Sequence, residues 1–187
     1  MAHNIYLIRH ARTQANFEGR YAGSSDECLA EAGISQLMEK VKAGYYPKVD
    51  LVYVSPMKRC QQTAHLIYPH LPLKVVPDFA EYDFGEFEGK TYEELKDNPV
   101  YKNWVDSEGV DKAPGGENME NYKRRCCEAF EQVLDEIREW GIANTALVVH
   151  GGTIMAIMER FGQDEKSFYD WQLPNCGSYK LVVKTCG

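Results

Sequence analysis

An α/β fold, a three-layer sandwich with a mainly parallel central sheet flanked by helices, is what this sequence predicts, on three observations. Short β-branched, apolar runs alternate with segments of helical periodicity. One helical segment near the middle carries an apolar stripe over more than five turns. Three polar clusters stand directly after strand-like runs, where open parallel sheets bind their ligands.

The elements follow in order. Residues 4–9 alternate as a strand and enter a loop that runs from His10 through Gly19 and Gly23 to Ser24 and Ser25. Over residues 31–44, Ile34, Leu37, Met38 and Val41 recur at helical spacing. Residues 50–54 form a short buried strand that stops at Ser55 and Pro56. The pair suits a helix start, Ser55 as N-cap and Pro56 in the first turn, with the helix continuing through Tyr68. Residues 73–76 make another strand. From Pro77 to about Pro114 the chain reads as irregular, with short helices near 92–97 and 100–107, and Pro114-Gly115-Gly116 is a turn. The clearest helix spans 117–140, with Met119, Tyr122, Cys126, Ala129, Phe130, Val133 and Ile137 on one face. A strand at 145–149, a helix from about Thr153 to Phe161 and a strand at 178–184 complete the pattern.

A length of 187 residues with 44% hydrophobic content fits one domain, 1–187, with a substantial core. No apolar run approaches the roughly 20 residues that span a bilayer. The start shows no basic segment followed by a cleavage site, so a cytoplasmic location is expected. Cys28, Cys60, Cys126, Cys127, Cys176 and Cys186 form no CxxC pair and no zinc-type spacing, and are expected to be reduced thiols, mostly apolar fillers. A net charge of −7 argues against nucleic acid or an anionic membrane as partner. It leaves an anionic small molecule open, because arginines can be concentrated in one cleft.

His10 ends the first strand between Arg9 and Arg12. A lone loop histidine is usually structural, but neighbouring guanidinium groups keep an imidazole neutral and therefore nucleophilic. The same groups hold a phosphoryl group by charge-assisted bonds. Arg59 and Lys58 open a helix, against its dipole, which a bound anion explains; the alternative is a solvated arginine. His150 closes the strand before Gly151 and Gly152, either as a buried turn residue or as a second imidazole on the phosphate. A phosphate ester also needs an acid for its leaving alkoxide and a base for water. Glu81, beside Tyr82 and Phe84, is one candidate, and spacing does not choose among Glu81, Asp83, Glu86 and Glu88.

Four segments together resemble the histidine phosphatase superfamily, in its phosphoglycerate-mutase-like first branch. An Arg-His-Gly-x-Thr-x-x-Asn motif is matched by Arg9, His10, Thr13 and Asn16. A Ser-x-x-x-Arg-x-x-x-Thr-Ala segment is matched by Ser55, Arg59, Thr63 and Ala64. A Glu-x-x-Phe-Gly-x-x-Glu-Gly loop is matched by Glu81, Phe84, Gly85, Glu88 and Gly89, and Val-x-His-Gly-Gly by Val148, His150, Gly151 and Gly152. The resemblance implies a phosphohistidine on His10, phosphoryl binding by Arg9, Arg59 and His150, and Glu81 as proton donor. It implies Asn16, Gly23, Thr13 and Arg12 as substrate-binding residues, with no metal and no organic cofactor. Ala11 replaces the family's usual glycine, and Arg12 stands where an acid or amide is common, adding positive charge near the mouth.

Mutases of the branch carry a longer insertion after the acidic loop; here about 25 residues separate Gly89 from Pro114. Water then reaches the phosphohistidine, so a phosphatase of small phosphomonoesters is preferred over a phosphoglycerate mutase. A non-catalytic phospho-ligand-binding protein of the same fold is the rival from another class, and all five catalytic positions speak against it. The Glu-Tyr-Asp-Phe-Gly-Glu-Phe-Glu-Gly run and the Pro-Gly-Gly-Glu turn resemble alpha-ribazole phosphatases of cobalamin synthesis, which implies alpha-ribazole phosphate as a substrate. A homodimer is left open.

Overall fold

The computed structural model describes residues 2–107 and 111–184. Strand β1 (Ala2–Arg9) lies in parallel beside β4 (Asn144–Val149), β4 beside β2 (Leu51–Val54), and β2 beside β3 (Leu73–Val75). Strand β5 (Ser178–Lys184) runs antiparallel along β1, giving the order β3-β2-β4-β1-β5.

Strand alternation divides the core into two layers. Ile5, Leu7, Tyr53, Leu147 and Val149 face helices α6 (Met119–Glu139) and α7 (Gly151–Phe161), where they meet Phe130, Ile137, Ile154 and Ile157. Ile8, Val52, Val54, Ala146 and Val148 face α3 (Lys58–Ile67), through Cys60 and Ala64. Helix α2 (Glu31–Lys42) adds Leu37 against the outer side of that layer. The three-layer sandwich read from the sequence is therefore the observed architecture. The central strands are buried on both faces, as in parallel sheets covered by helices.

The differences from the sequence reading have local causes. The first loop contains a short helix, α1 (Gln14–Glu18), closed by a Thr13–Asn16 capping box and by Gly19 in the left-handed region at φ 67°. Five residues without an apolar stripe give periodicity nothing to detect. Helix α3 starts at Lys58, not Pro56, so its N-cap position falls to Met57; the Ser55 hydroxyl accepts from Met57 N–H at 3.3 Å and bonds His150 Nε2 at 2.7 Å. The Lys58 N–H donates instead to Asp26 Oδ1 at 2.7 Å. The anion at this helix start is thus the chain's own Asp26. Helix α6 begins at Met119, capped by Asn118, which leaves Glu117 to pair with Arg125. Helix α7 takes in Gly151 and Gly152, two residues before the expected start. Between 77 and 114 stand 3-10 turns at Pro77–Phe79 and Gly85–Phe87, then α4 (Tyr92–Leu95) and α5 (Pro99–Asp106). A further 3-10 turn, Phe168–Trp171, was not expected.

Cys60, Cys126, Cys127 and Cys176 are buried free thiols, as apolar fillers should be, whereas Cys28 is exposed; Cys186 lies outside the described residues. Among the described residues, no helix is long and apolar enough to cross a membrane.

Candidate active site

The register of the parallel strands builds the site. Arg9 pairs with Val149, so the next residues, His10 and His150, leave the sheet side by side with ring centroids 5.2 Å apart. Val54 pairs with Val148, which brings Ser55 to His150. The His10 backbone N–H donates to Val149 O, and its Nδ1 lies 2.7 Å from Ala11 O. A carbonyl only accepts, so Nδ1 carries the hydrogen and Nε2 keeps the lone pair. Ala11 packs its methyl, fully buried, against Leu29, Leu37 and Cys176, which accounts for a side chain in place of glycine.

Burial first, and the Arg59 charge second, pull His10 down to about 3, with Arg9 contributing less and the Ala11 carbonyl opposing. The sequence pointed to the flanking arginines; burial and the distant Arg59 dominate. His150 is likewise held well below the usual histidine range by burial, then by Arg59 and His10. Both imidazoles are neutral at physiological pH.

This has a consequence for stability with a definite sign. Below about 6.5 the unfolded histidines take up protons that the folded ones refuse, so stability falls on acidification. The window for His10 runs from about 6.5 down to about 3. Its steepest slope is roughly 1.4 kcal/mol per pH unit per histidine. We expect Tm to drop between pH 6.5 and 4, and His10→Asn, which cannot protonate, to shrink that drop. Equal slopes in both proteins would contradict the buried neutral imidazole.

Arg9 sends Nη1 to Leu173 O at 2.6 Å, while its Nε is buried without a hydrogen-bond partner. Such an unpartnered charged donor is costly and needs a reason. Burial lowers the Arg9 pKa, and the Glu81 charge offsets part of this. Arg59, at 1% exposure, donates Nη1 to Ser25 O at 2.7 Å and Nη2 to Gly23 O at 2.9 Å. Gly151 is where Arg9 passes over α7: a Cβ there would lie 3.2 Å from the guanidinium carbon.

The four acids of the 81–88 loop separate cleanly. Glu86 is exposed, and Asp83 accepts from Gly85 N–H. Glu88 accepts from Gly23, Ser24 and Phe84 backbone N–H groups and from the Ser25 hydroxyl, fastening the 23–25 segment. Glu81 alone of the four reaches the wall of a cavity of about 410 Å³, together with Arg9. Its Oε1 accepts from Tyr122 Oη at 2.5 Å and from Tyr82 N–H at 2.9 Å. Arg125 holds the Glu81 backbone by donating to the carbonyls of Asp78, Ala80 and Glu81. The rest of the wall is largely aromatic: Tyr21, Tyr82, Phe84, Trp104, Phe168 and Tyr169.

Arg9, His10, Arg59, Glu81 and His150 therefore converge. The remaining candidates sit around them. Thr13 and Asn16 have their polar groups in the α1 capping box, with Asn175 Nδ2 also 3.4 Å from Asn16 Oδ1. Gly23 is buried under Tyr82, whose carbonyl would meet a Cβ at 1.7 Å. Arg12 is exposed and stacks over Phe17, away from the cavity wall. Sequence reasoning missed Thr63, whose hydroxyl accepts from Ala11 N–H, and Asn175, which donates to His10 O. Thr63 stood in the quoted motif; Asn175 gave no signal. Among the described residues, no three His, Cys, Asp or Glu side chains form a metal-holding group.

Comparison with known proteins agrees with this geometry. The model of the histidine phosphatase superfamily (branch 1) matches residues 5–187. The chain is 29% identical over 160 residues to the adenosylcobalamin/alpha-ribazole phosphatase of Escherichia coli K12, covering 83% of this chain and 77% of that protein. It is 28% identical over 184 residues to phosphoserine phosphatase 1 of Hydrogenobacter thermophilus, covering 95% and 85%. The solved alpha-ribazole phosphatase of Shigella flexneri superposes with a TM-score of 0.85 at 26% identity, over 97% of this chain and 91% of that one. With both the family match and the superposition running almost end to end, the chain belongs to branch 1 of the histidine phosphatase superfamily, metal-independent phosphomonoesterases that work through a phosphohistidine.

Proposed function

We propose that this single domain, 1–187, hydrolyses a small phosphomonoester at His10. The observation that carries the reading is a neutral His10 Nε2 set near Arg9, whose buried Nε has no hydrogen-bond partner among the described residues. In the first step the Nε2–P bond forms as the P–O ester bond breaks, and Glu81 gives its proton to the leaving oxygen. Arg9, Arg59 and His150 hold the phosphoryl oxygens. Water then attacks phosphorus, the N–P bond breaks, and Glu81 takes up the proton of that water. Thr13, Asn16 and Gly23 support the phosphate loop; Arg12 stands outside the cavity wall and acts only through its charge, which reaches Arg9. Because His10 titrates near 3, its protonation limits kcat/KM only in strong acid.

For the leaving group, the aromatic wall supports a flat, nucleoside-like alcohol, and alpha-ribazole phosphate, named for the relatives, fits that description. Arg9 is the only cation among the described wall residues, so a substrate carboxylate finds no second partner there. We expect kcat/KM for alpha-ribazole phosphate to exceed that for phosphoserine and 3-phosphoglycerate. Trp104→Ala should cut the first by about tenfold, in line with stacking worth about 1–3 kcal/mol, and leave the other two nearly unchanged. Equal rates on all three, unaffected by the variant, would sink the aromatic-substrate reading. A reducing, cytoplasmic setting suits the buried thiols. A net charge of −7 gives nucleic acid no part in this reading; sedimentation of the purified chain decides whether it pairs as a homodimer.

A further inference from the structure

We propose that Tyr122 is a positioning residue that pins Glu81 through Oε1 and dedicates Oε2 to carrying the proton. The inference rests on the reading of Glu81 as the acid. Sequence periodicity places Tyr122 in the apolar stripe of α6, and it is indeed fully buried. Its hydroxyl, however, points out of that stripe into the site. Oη donates to Glu81 Oε1 at 2.5 Å and lies 3.1 Å from the hydroxyl of Thr153, itself fully buried.

A phenol has one hydrogen. With that hydrogen on Glu81, Thr153 is the donor to Tyr122 Oη, and this second bond fixes the direction of the first. Burial, and then the Glu81 charge, push the Tyr122 pKa well up, so the phenol stays a neutral donor. Oε1 also receives the Tyr82 N–H at 2.9 Å, so two donors occupy it. The transferable proton therefore belongs on Oε2. When it leaves for the alkoxide, Glu81 becomes a carboxylate and both bonds to Oε1 become charge-assisted. They strengthen as the reaction proceeds, which is the condition for lowering a barrier.

The second glycine of the His-Gly-Gly segment makes room for this contact. A Cβ on Gly152 would sit 2.5 Å from Tyr122 Oη and 2.8 Å from Glu81 Oε1. Arg125 meanwhile holds the Glu81 backbone, which leaves the carboxyl group as the part still to be aimed.

The test compares phenyl phosphate, whose leaving group needs the proton, with p-nitrophenyl phosphate, whose leaving group does not. Tyr122→Phe removes one oxygen. It should lower kcat/KM for phenyl phosphate by about 10- to 100-fold and for p-nitrophenyl phosphate by less than about threefold. Thr153→Val should show the same pattern more weakly, and it carries the test if the tyrosine variant does not fold. Equal losses on both substrates would overturn the proposal, as would no loss at all. Glu81→Gln separates this from the parent reading: if it keeps phenyl phosphate hydrolysis, Glu81 is not the acid. If it loses that activity while Tyr122→Phe behaves as wild type, the positioning role alone fails.

Discussion

His10→Ala should lower kcat for p-nitrophenyl phosphate by a factor on the order of 10⁴ to 10⁶, the range seen when a covalent nucleophile is removed. The loss should be of this size because nothing nearby can substitute. His150 Nε2 is engaged by Ser55, the ring is fully buried, and Cys60, 3.5 Å from that nitrogen, has its thiol pushed far up by burial. Glu81, held by Tyr122 and the Tyr82 N–H, offers a carboxyl oxygen and not the imidazole lone pair that the Ala11 carbonyl directs. The companion measurement is trapping with labelled substrate. Wild type should yield an acid-labile, alkali-stable phosphoprotein, and the variant none. A variant within tenfold of wild type, or one that still forms that adduct, would remove His10 from the mechanism.

Arg59→Ala should act on both activity and stability. The side chain is the largest of those fully buried, and it ties α3 to the carbonyls of Gly23 and Ser25. Losing it strands the buried Gly23 carbonyl, at about 1–3 kcal/mol, and the half-buried Ser25 carbonyl at less. At roughly 2–4 °C per kcal/mol for a chain of this size, Tm should fall by about 5–15 °C. Loss of a preorganised cation on the phosphoryl group should lower kcat/KM by about 10² to 10³. The Arg59 charge also holds His10 and His150 down, so the variant should lose activity at a higher pH on the acid side. Arg59→Lys keeps the charge but not the fork, and should restore the pH profile more than Tm. Wild-type kcat/KM in the alanine variant, measured below its melting point, would show that Arg59 serves the loop only.

The parts of this molecule legible in its sequence share a physical cause. Helix α6 and strands β1, β2 and β4 have their apolar residues at spacings set by their own geometry, so each announces itself locally. Of the candidate site residues, Arg9, His10 and His150 were legible because they stand at strand ends, which must converge in a parallel sheet, and Arg59 because it opens a helix; Glu81, in a loop, was not singled out by spacing. What escaped depends on partners far along the chain. Ser55 reads as a cap and does accept from Met57 N–H, but its hydroxyl also serves His150, 95 residues on. The choice of Glu81 over Glu88 turns on Gly23 and Ser25, which occupy Glu88. Tyr122 obeyed the helical period so well that its one polar atom went unnoticed. A side chain can satisfy the core with its ring and the site with its tip.

The contacts of the 173–176 segment make the site a long-range assembly. Leu173 O holds the Arg9 guanidinium, Asn175 holds His10 O, and Cys176 N–H, in a left-handed conformation at φ 62°, holds Arg9 O. Strand β5 then seals β1 along its free edge. His10 and the side chain that holds its carbonyl stand 165 residues apart in the chain. The backbone around His10 is therefore fixed only when both stretches of chain are folded together, and a fragment lacking residues 173–176 should leave the imidazole unaimed.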